Sequence, residues 1–456
     1  MNGTIDFTQG KASCVILQFF FPMLATGMLQ QFYSFADTAI VGRGLGDNAL
    51  AAVGNMSSLC FLIVGFSIGL SNGFAVLVAQ SFGEKNDVLL RRTLSAILRL
   101  AVILTAVLTV VSIVFLKPVL LLLQTDPDIL GDSLVYGYIL FGGLAATILY
   151  NMSSGVLRSL GDSKTPLAAI VISSILNILL DCLMILVLHT GVWGAAAATI
   201  ASQVVSGLVC MKRLSSIDML RKQGDEPKPD VRLYARLLKN GIPMALMNSI
   251  TAIGCMTVQY YVNGLGVAYT SAYSACSKYI NMFMQPACTA GYSMSAYTGQ
   301  NYGARRFDRI SEGLRVCLAI AGISYAVLGM AMLLFPEFLA SLLLSGREQI
   351  AHAAEFLPIC GVMLFAVDML FVVRSAVQGM GFPLVPMLSG ILEMVLRIGT
   401  ISLFIGQIGF RATAYAEACA WIGALLLNTV AYKCIFTRES GRDVLSQKPE
   451  VCSVHS

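Results

Sequence analysis

A chain of 456 residues with 57% hydrophobic and only 12% charged side chains, and a mean hydropathy of +0.77, lies outside the soluble globular class and reads as an integral membrane protein. The formal net charge of +5 does not imply a nucleic-acid partner, because the basic residues sit in short loops between apolar runs. Most of the twelve cysteines lie within those runs, with no CxxC and no metal spacing, and read as small buried hydrophobes.

At about 1.5 Å per helical residue, the apolar runs are long enough to cross a hydrocarbon core of roughly 30 Å. Breaks at charges, Gly and Pro give about twelve spans, near 14–41, 49–80, 93–116, 130–157, 167–188, 192–211, 242–263, 269–299, 313–336, 350–378, 384–408 and 410–436. The first continues well past a signal h-region, so it is read as retained. With a cytoplasmic amino terminus, the inner loops carry Lys85, Arg91, Arg92, Arg158, Lys164, the basic residues from Lys212 to Lys239, and Arg305, Arg306, Arg309 and Arg315. The outer loops then hold only Arg43, Lys117, Arg347 and Arg411. That asymmetry predicts a multi-pass protein of the cytoplasmic (inner) membrane with both termini inside.

The longest polar segment, residues 212–241, reads as a linker, and the sequence repeats across it at a displacement of about 220 residues. AQSFGEKN at 79–86 answers GQNYGARR at 299–306, and LRSLGDSKTP at 157–166 answers VQGMGFPLVP at 377–386. GRGLG at 42–46 answers VNGLG at 262–266, and Pro22 answers Pro243 within one residue. The expected organisation is a six-helix lobe over 1–211, a cytoplasmic linker over 212–241, a second six-helix lobe over 242–436 and a cytoplasmic tail over 437–456. An even number of spans per half makes the halves parallel repeats, as in transporters whose substrate path runs between them. Asp37 is an acidic residue inside the run Cys14–Val41, and an intramembrane carboxylate is a functional candidate because burying it costs at least about 2.5–3.5 kcal/mol.

The order and repetition of these motifs over twelve spans resemble the multidrug and toxic compound extrusion (MATE) family across nearly the whole chain. The resemblance implies an all-α, polytopic, two-lobed transporter that exports amphipathic, cationic compounds in exchange for H+ or Na+, with no other cofactor. It further implies an ion site in the first lobe, built from Asp37, Tyr136, Asn177, Asp181 and Thr199. Another branch of the family has a carboxylate on the seventh span; here 243–262 contains none, and Asn248 stands in the corresponding place. Asn177 and Asp181 are i and i+4, share one helical face and can converge on Asp37. Two carboxyl groups desolvated together disfavour double ionisation, the property a proton carrier needs. The same carboxylates with the Asn177 amide and the Thr199 hydroxyl are also hard ligands suited to Na+.

The second half carries Lys278, Asp368, Glu393, Arg397 and Glu417 within apolar runs. Glu393 and Arg397 are i and i+4 and are expected to pair. Lys278 is expected to neutralise Asp368 or Glu417, leaving one carboxylate to attract a cationic substrate. Arg99 and Arg374 lie near span ends, where they would snorkel to the interface. GFSIG at 65–69 formally fits GxSxG, but Ser67 lacks a motif-borne base, the only histidines being His189, His352 and His455. Gly65, Gly69 and Gly73 instead mark a close helix-packing face. There is no HExxH or Walker loop, hence no sign of ATP driving. Gln80 and Gln300 are expected to end spans structurally, and Met282, Met284 and Met294 to pack between helices. The sequence therefore predicts a secondary antiporter, not an enzyme, acting as a monomer on small amphipathic molecules among membrane lipids. A flippase for a lipid-linked saccharide precursor is the alternative, and an intramembrane hydrolase a remote one.

Overall fold

The structure, a computed structural model, describes residues 4–122, 125–220 and 228–446. It is built of helices: α1 (Ala12–Leu45), α2 (Asp47–Gly83), α3 (Asp87–Leu122), α4 (Pro127–Gly142), α5 (Leu144–Ser159), α6 (Lys164–Asp181) and α7 (Val192–Ser215) form the first half. The second contains α8 (Val231–Asn263), α9 (Val267–Phe283), α10 (Gln285–Gly303), α11 (Phe307–Leu334), α12 (Pro336–Leu343), α13 (Arg347–Gly379), α14 (Leu384–Ile408) and α15 (Arg411–Ser446). Among the described residues ten helices are long and apolar enough to cross a membrane, and α4 and α5, bent by 46° to one another, are long and apolar enough only when taken together. The expected span at 269–299 is occupied by α9 and α10, which break at Met284 before Pro286. On α3, Val102, Ile103, Val107, Val110 and Val114 are exposed, an apolar stripe that only lipid can cover.

Two boundaries differ from the polar-segment reading. Helix α8 starts inside 212–241 because Asp230 accepts a hydrogen bond from the Leu233 N–H at 3.1 Å, and Leu233 and Leu237 pack on the first-half core with Leu70 and Phe74. Helix α15 likewise runs into the expected tail as far as Ser446. Residues 221–227 of the linker and 447–456 of the tail lie outside the described residues.

The repeat is visible in the backbone. Lys85 and Arg305, at matching positions, have φ of 55° and 56°, and the pairs Gly46/Gly266 and Gly161/Gly381 also share positive φ. The halves meet along α2, whose Gly69 and Gly73 approach the α8 backbone, as the small-residue spacing predicts. At one end α2 crosses α10. A Cβ on Gly83 would collide with the Gln300 carbonyl, and a Cβ on Gly303 with the Gln80 carbonyl. Beside this crossing Gln80 donates to the Gly379 carbonyl at 3.1 Å and Gln300 to the Ser159 carbonyl at 2.8 Å. The two acceptors are themselves repeat partners, so the contacts are reciprocal about a pseudo-twofold axis.

The amino-terminal segment is tied into the same end. The Phe7 N–H donates to Gln300 Oε1 at 2.9 Å, and the Phe7 carbonyl accepts from Asn301 and Arg309. Arg309, counted above as a loop charge, is buried and also reaches the carbonyls of Gln9 and Gly10. Gly83→Ala and Gly303→Ala should each cost about 1–3 kcal/mol, as forced close contacts do, seen as a lower temperature of aggregation for the purified protein. Gly399→Ala, which points a Cβ into open space, should leave that temperature unchanged.

Candidate functional site

Four helices of the first half bring the expected ion-site residues together. Asp37 lies on α1, Tyr136 on α4, Asn177 and Asp181 on α6, and Thr199 on α7. Asn177 and Asp181 are fully buried, and Asp37 is half-buried. The carboxyl groups of Asp37 and Asp181 approach within hydrogen-bonding reach of one another. With its amide nitrogen turned toward Asp181, Asn177 donates to Asp181 Oδ2 at 2.7 Å and accepts from the Thr199 N–H at 3.3 Å. Oδ1 of Asp37 and Oδ1 of Asp181 find no donor among the described residues. Tyr136 is buried within electrostatic range of both carboxyl groups and, with Thr199, Cys60 and Gln203, borders a cavity of about 170 Å³.

Tyr33 completes the cluster, hydrogen-bonded through its side chain to Thr199 and lying close to Asp37. It sits one turn before Asp37 on the same face of α1, and that i, i+4 spacing was the signal available in the sequence. Past Asp181, α6 widens into a π-helical turn, Cys182–Val187, a distortion often found at functional sites. Gly44 of α1 packs on Ile185 in that turn, so α1 and the distorted end of α6 are in direct contact.

The second half handles its charges differently. A cavity of about 540 Å³ lies between α8, α9, α13, α14 and α15, with Phe61, Gly65 and Ile68 of α2 contributing from the other half. Arg374, Glu393, Arg397 and Glu417 all line it. The expected Glu393–Arg397 pair is replaced by two pairs between helices. Arg374 of α13 hydrogen-bonds Glu393, and Arg397 of α14 donates Nε and Nη2 to Glu417 Oε2 at 3.2 and 2.8 Å. Arg374 therefore does not snorkel; a desolvated carboxylate holds its guanidinium inside. Lys278 neutralises neither Asp368 nor Glu417. Its ammonium lies 5.6 Å from the centre of the Phe35 ring on α1, where α9 faces the first half, while the fork of Arg397 already occupies Glu417. Asp368 is fully buried, and neither of its oxygens has a partner among the described residues. Arg99 donates to the Tyr234 hydroxyl at 3.3 Å. Asn248 donates to the Gly65 carbonyl at 2.9 Å, an interhelical bond. Ser67 is buried and contacts Asn151, and His352 stacks on Tyr269.

Comparison with known proteins gives the same architecture. The MatE family model matches residues 22–183 and 243–401, one match on each side of the central polar segment. The probable multidrug resistance protein YoeA of Bacillus subtilis is 30% identical over 357 residues, 76% of this chain and 77% of its own length. The probable multidrug resistance protein YpnP of the same organism is 28% identical over 92% of this chain and 91% of its own length. A crystal structure of MATE in the bent conformation superposes with a TM-score of 0.89 at 21% identity, covering 96% of this chain and 98% of that one.

Arg397→Gln alone leaves Glu417 buried without a partner and should destabilise the purified protein by about 3–5 kcal/mol. Adding Glu417→Gln should restore most of that loss, measured as thermal or denaturant unfolding of the single and double variants.

Proposed function

The chain belongs to the MATE family, and from that premise we propose that it is a proton-coupled antiporter exporting small amphipathic organic cations across the cytoplasmic membrane. The observation that carries the choice of ion is the contact between the Asp37 and Asp181 carboxyl groups. Two carboxyl groups in contact hold one proton readily and resist losing it to full double ionisation. The Asn177 amide can donate to the Asp181 carboxylate that remains ionised beside its protonated neighbour, which supports a singly protonated pair. Both relatives above bear the description of probable multidrug resistance proteins, which supports xenobiotics as the cargo.

Protonation would remove charge at the boundary between α1 and α6 and thereby favour one of two packings of α1. Pro22 interrupts the hydrogen-bond ladder of α1, and Thr26 donates to the Pro22 carbonyl at 2.8 Å, a natural bend point between the clamped end and Asp37. The basic loops support a cytoplasmic position for the Gly83/Gly303 crossing and both termini. Both lobes, and both cavities described above, lie within one chain, so a monomer suffices. Exchange of one monovalent cation for one proton is electroneutral and is driven by about 1.4 kcal/mol per pH unit.

Uptake of a fluorescent organic cation into proteoliposomes, under imposed pH or sodium gradients, tests the reading. A pH gradient should drive uptake, a sodium gradient should not, and Asp37→Asn should abolish the pH-driven component. Uptake driven by sodium alone, or unchanged in Asp37→Asn, would show that the proton assignment is wrong.

A further inference from the structure

The coupling cluster leaves unused the cavity of about 540 Å³ in the second half, which is in the size range of sites for drug-sized molecules. Its charged lining is balanced, with Arg374 and Arg397 against Glu393 and Glu417. The four form an alternating row, since Glu393 and Arg397 stand one turn apart on α14 and their partners come from α13 and α15. A lone organic cation gains no net attraction from such a row.

The unmet hydrogen-bonding groups are also informative. Among the buried side-chain atoms of the lining residues, two lack a partner, Nε of Arg374 and Nη1 of Arg397, and both are donors. A buried donor left unmet costs about 1–3 kcal/mol. Gly254 of α8 faces Arg397; a Cβ there would lie 2.9 Å from Nη1, so glycine leaves that side of the guanidinium uncrowded. Around the row stand Phe356, Phe371 and Trp421, which suit a flat apolar body.

We propose that this cavity binds aromatic zwitterions, the ligand carboxylate taken by Arg374 and Arg397 and its cationic group lying against Glu393 and Glu417. The proposal rests on the export reading and narrows its cargo. A merely structural row, tying α13, α14 and α15 together, would be indifferent to whether a ligand carries a carboxylate.

The test is equilibrium binding to the full chain in nanodiscs at neutral pH, read by fluorescence anisotropy. The probes are a cationic xanthene dye bearing a free carboxylic acid, a zwitterion, and its ethyl ester, a cation. The unmodified protein should bind the acid at least about tenfold more tightly than the ester, or 1.4 kcal/mol. The charge-balanced double variants Arg374→Gln/Glu393→Gln and Arg397→Gln/Glu417→Gln should each bring that ratio close to one. Should neither fold, Gly254→Ala reads the same contact by crowding Nη1 and should lower the ratio. Equal binding of acid and ester by the unmodified protein, or a ratio that survives these substitutions, would overturn the proposal. Binding is read without any gradient. An acid preference in a protein whose uptake ignores pH would refute proton coupling and leave this site standing, and pH-driven uptake without the preference would do the reverse.

Discussion

Gln80 and Gln300 each donate across the molecule to a carbonyl of the opposite half, and the two carbonyls, of Gly379 and Ser159, are repeat partners. Because the bonds are reciprocal, they fix the pseudo-twofold axis at one end of the bundle. Gly83 and Gly303 let α2 and α10 cross there at backbone contact. Everything of functional interest is reached along helices that leave this crossing. Helix α2 runs from it to Phe61 and Gly65 at the rim of the larger cavity. Helix α1 starts beside the clamped Phe7 segment, passes Pro22 and arrives at Asp37, roughly 35–40 Å away at about 1.5 Å per residue. A change at Asp37 therefore acts on a helix held firmly at its other end.

The two halves share a backbone plan but treat most of their buried charge in opposite ways, Asp368 of the second half, buried without a partner among the described residues, being the exception. In the second half, Glu393 and Glu417 are each answered by a guanidinium, and breaking either pair would strand a desolvated ion. In the first half, Asp37 and Asp181 face each other with an amide, a hydroxyl and two phenols nearby, and no Lys or Arg joins them among the described contacts. A paired carboxylate is fixed in its charged form, whereas a carboxyl pair is free to gain and lose a proton. In the reading proposed above, that difference puts coupling at the Asp37/Asp181 pair and leaves the charged row of the other half to recognise cargo.

Much of this was legible in the sequence, for definable reasons. The matched pairs AQSFGEKN/GQNYGARR revealed the repeat because both copies must build the same crossing, and only small residues fit it. Asp37 stood out against its apolar run. Asn177, Asp181, Tyr136 and Thr199 became candidates through family resemblance, since polar residues in a span are otherwise ambiguous. Tyr33 was missed because a tyrosine among Phe32 and Phe35 looks like lipid-facing aromatic surface. The Glu393–Arg397 pairing failed because i, i+4 spacing measures reach along one helix, while α13 and α15 supplied partners with better geometry. The bend between α4 and α5 follows the Gly142-Gly143 pair, a break too short to register in a hydropathy pattern.

The most direct test of the central claim is infrared difference spectroscopy of the membrane-reconstituted protein, following the carbonyl band of protonated carboxylic acid as a cationic substrate is added. Loss of a protonated-carboxyl band in the unmodified protein, absent from both Asp37→Asn and Asp181→Asn, is the expected result. A band unaffected by substrate, or one that persists unchanged in both variants, would contradict a proton shared between Asp37 and Asp181.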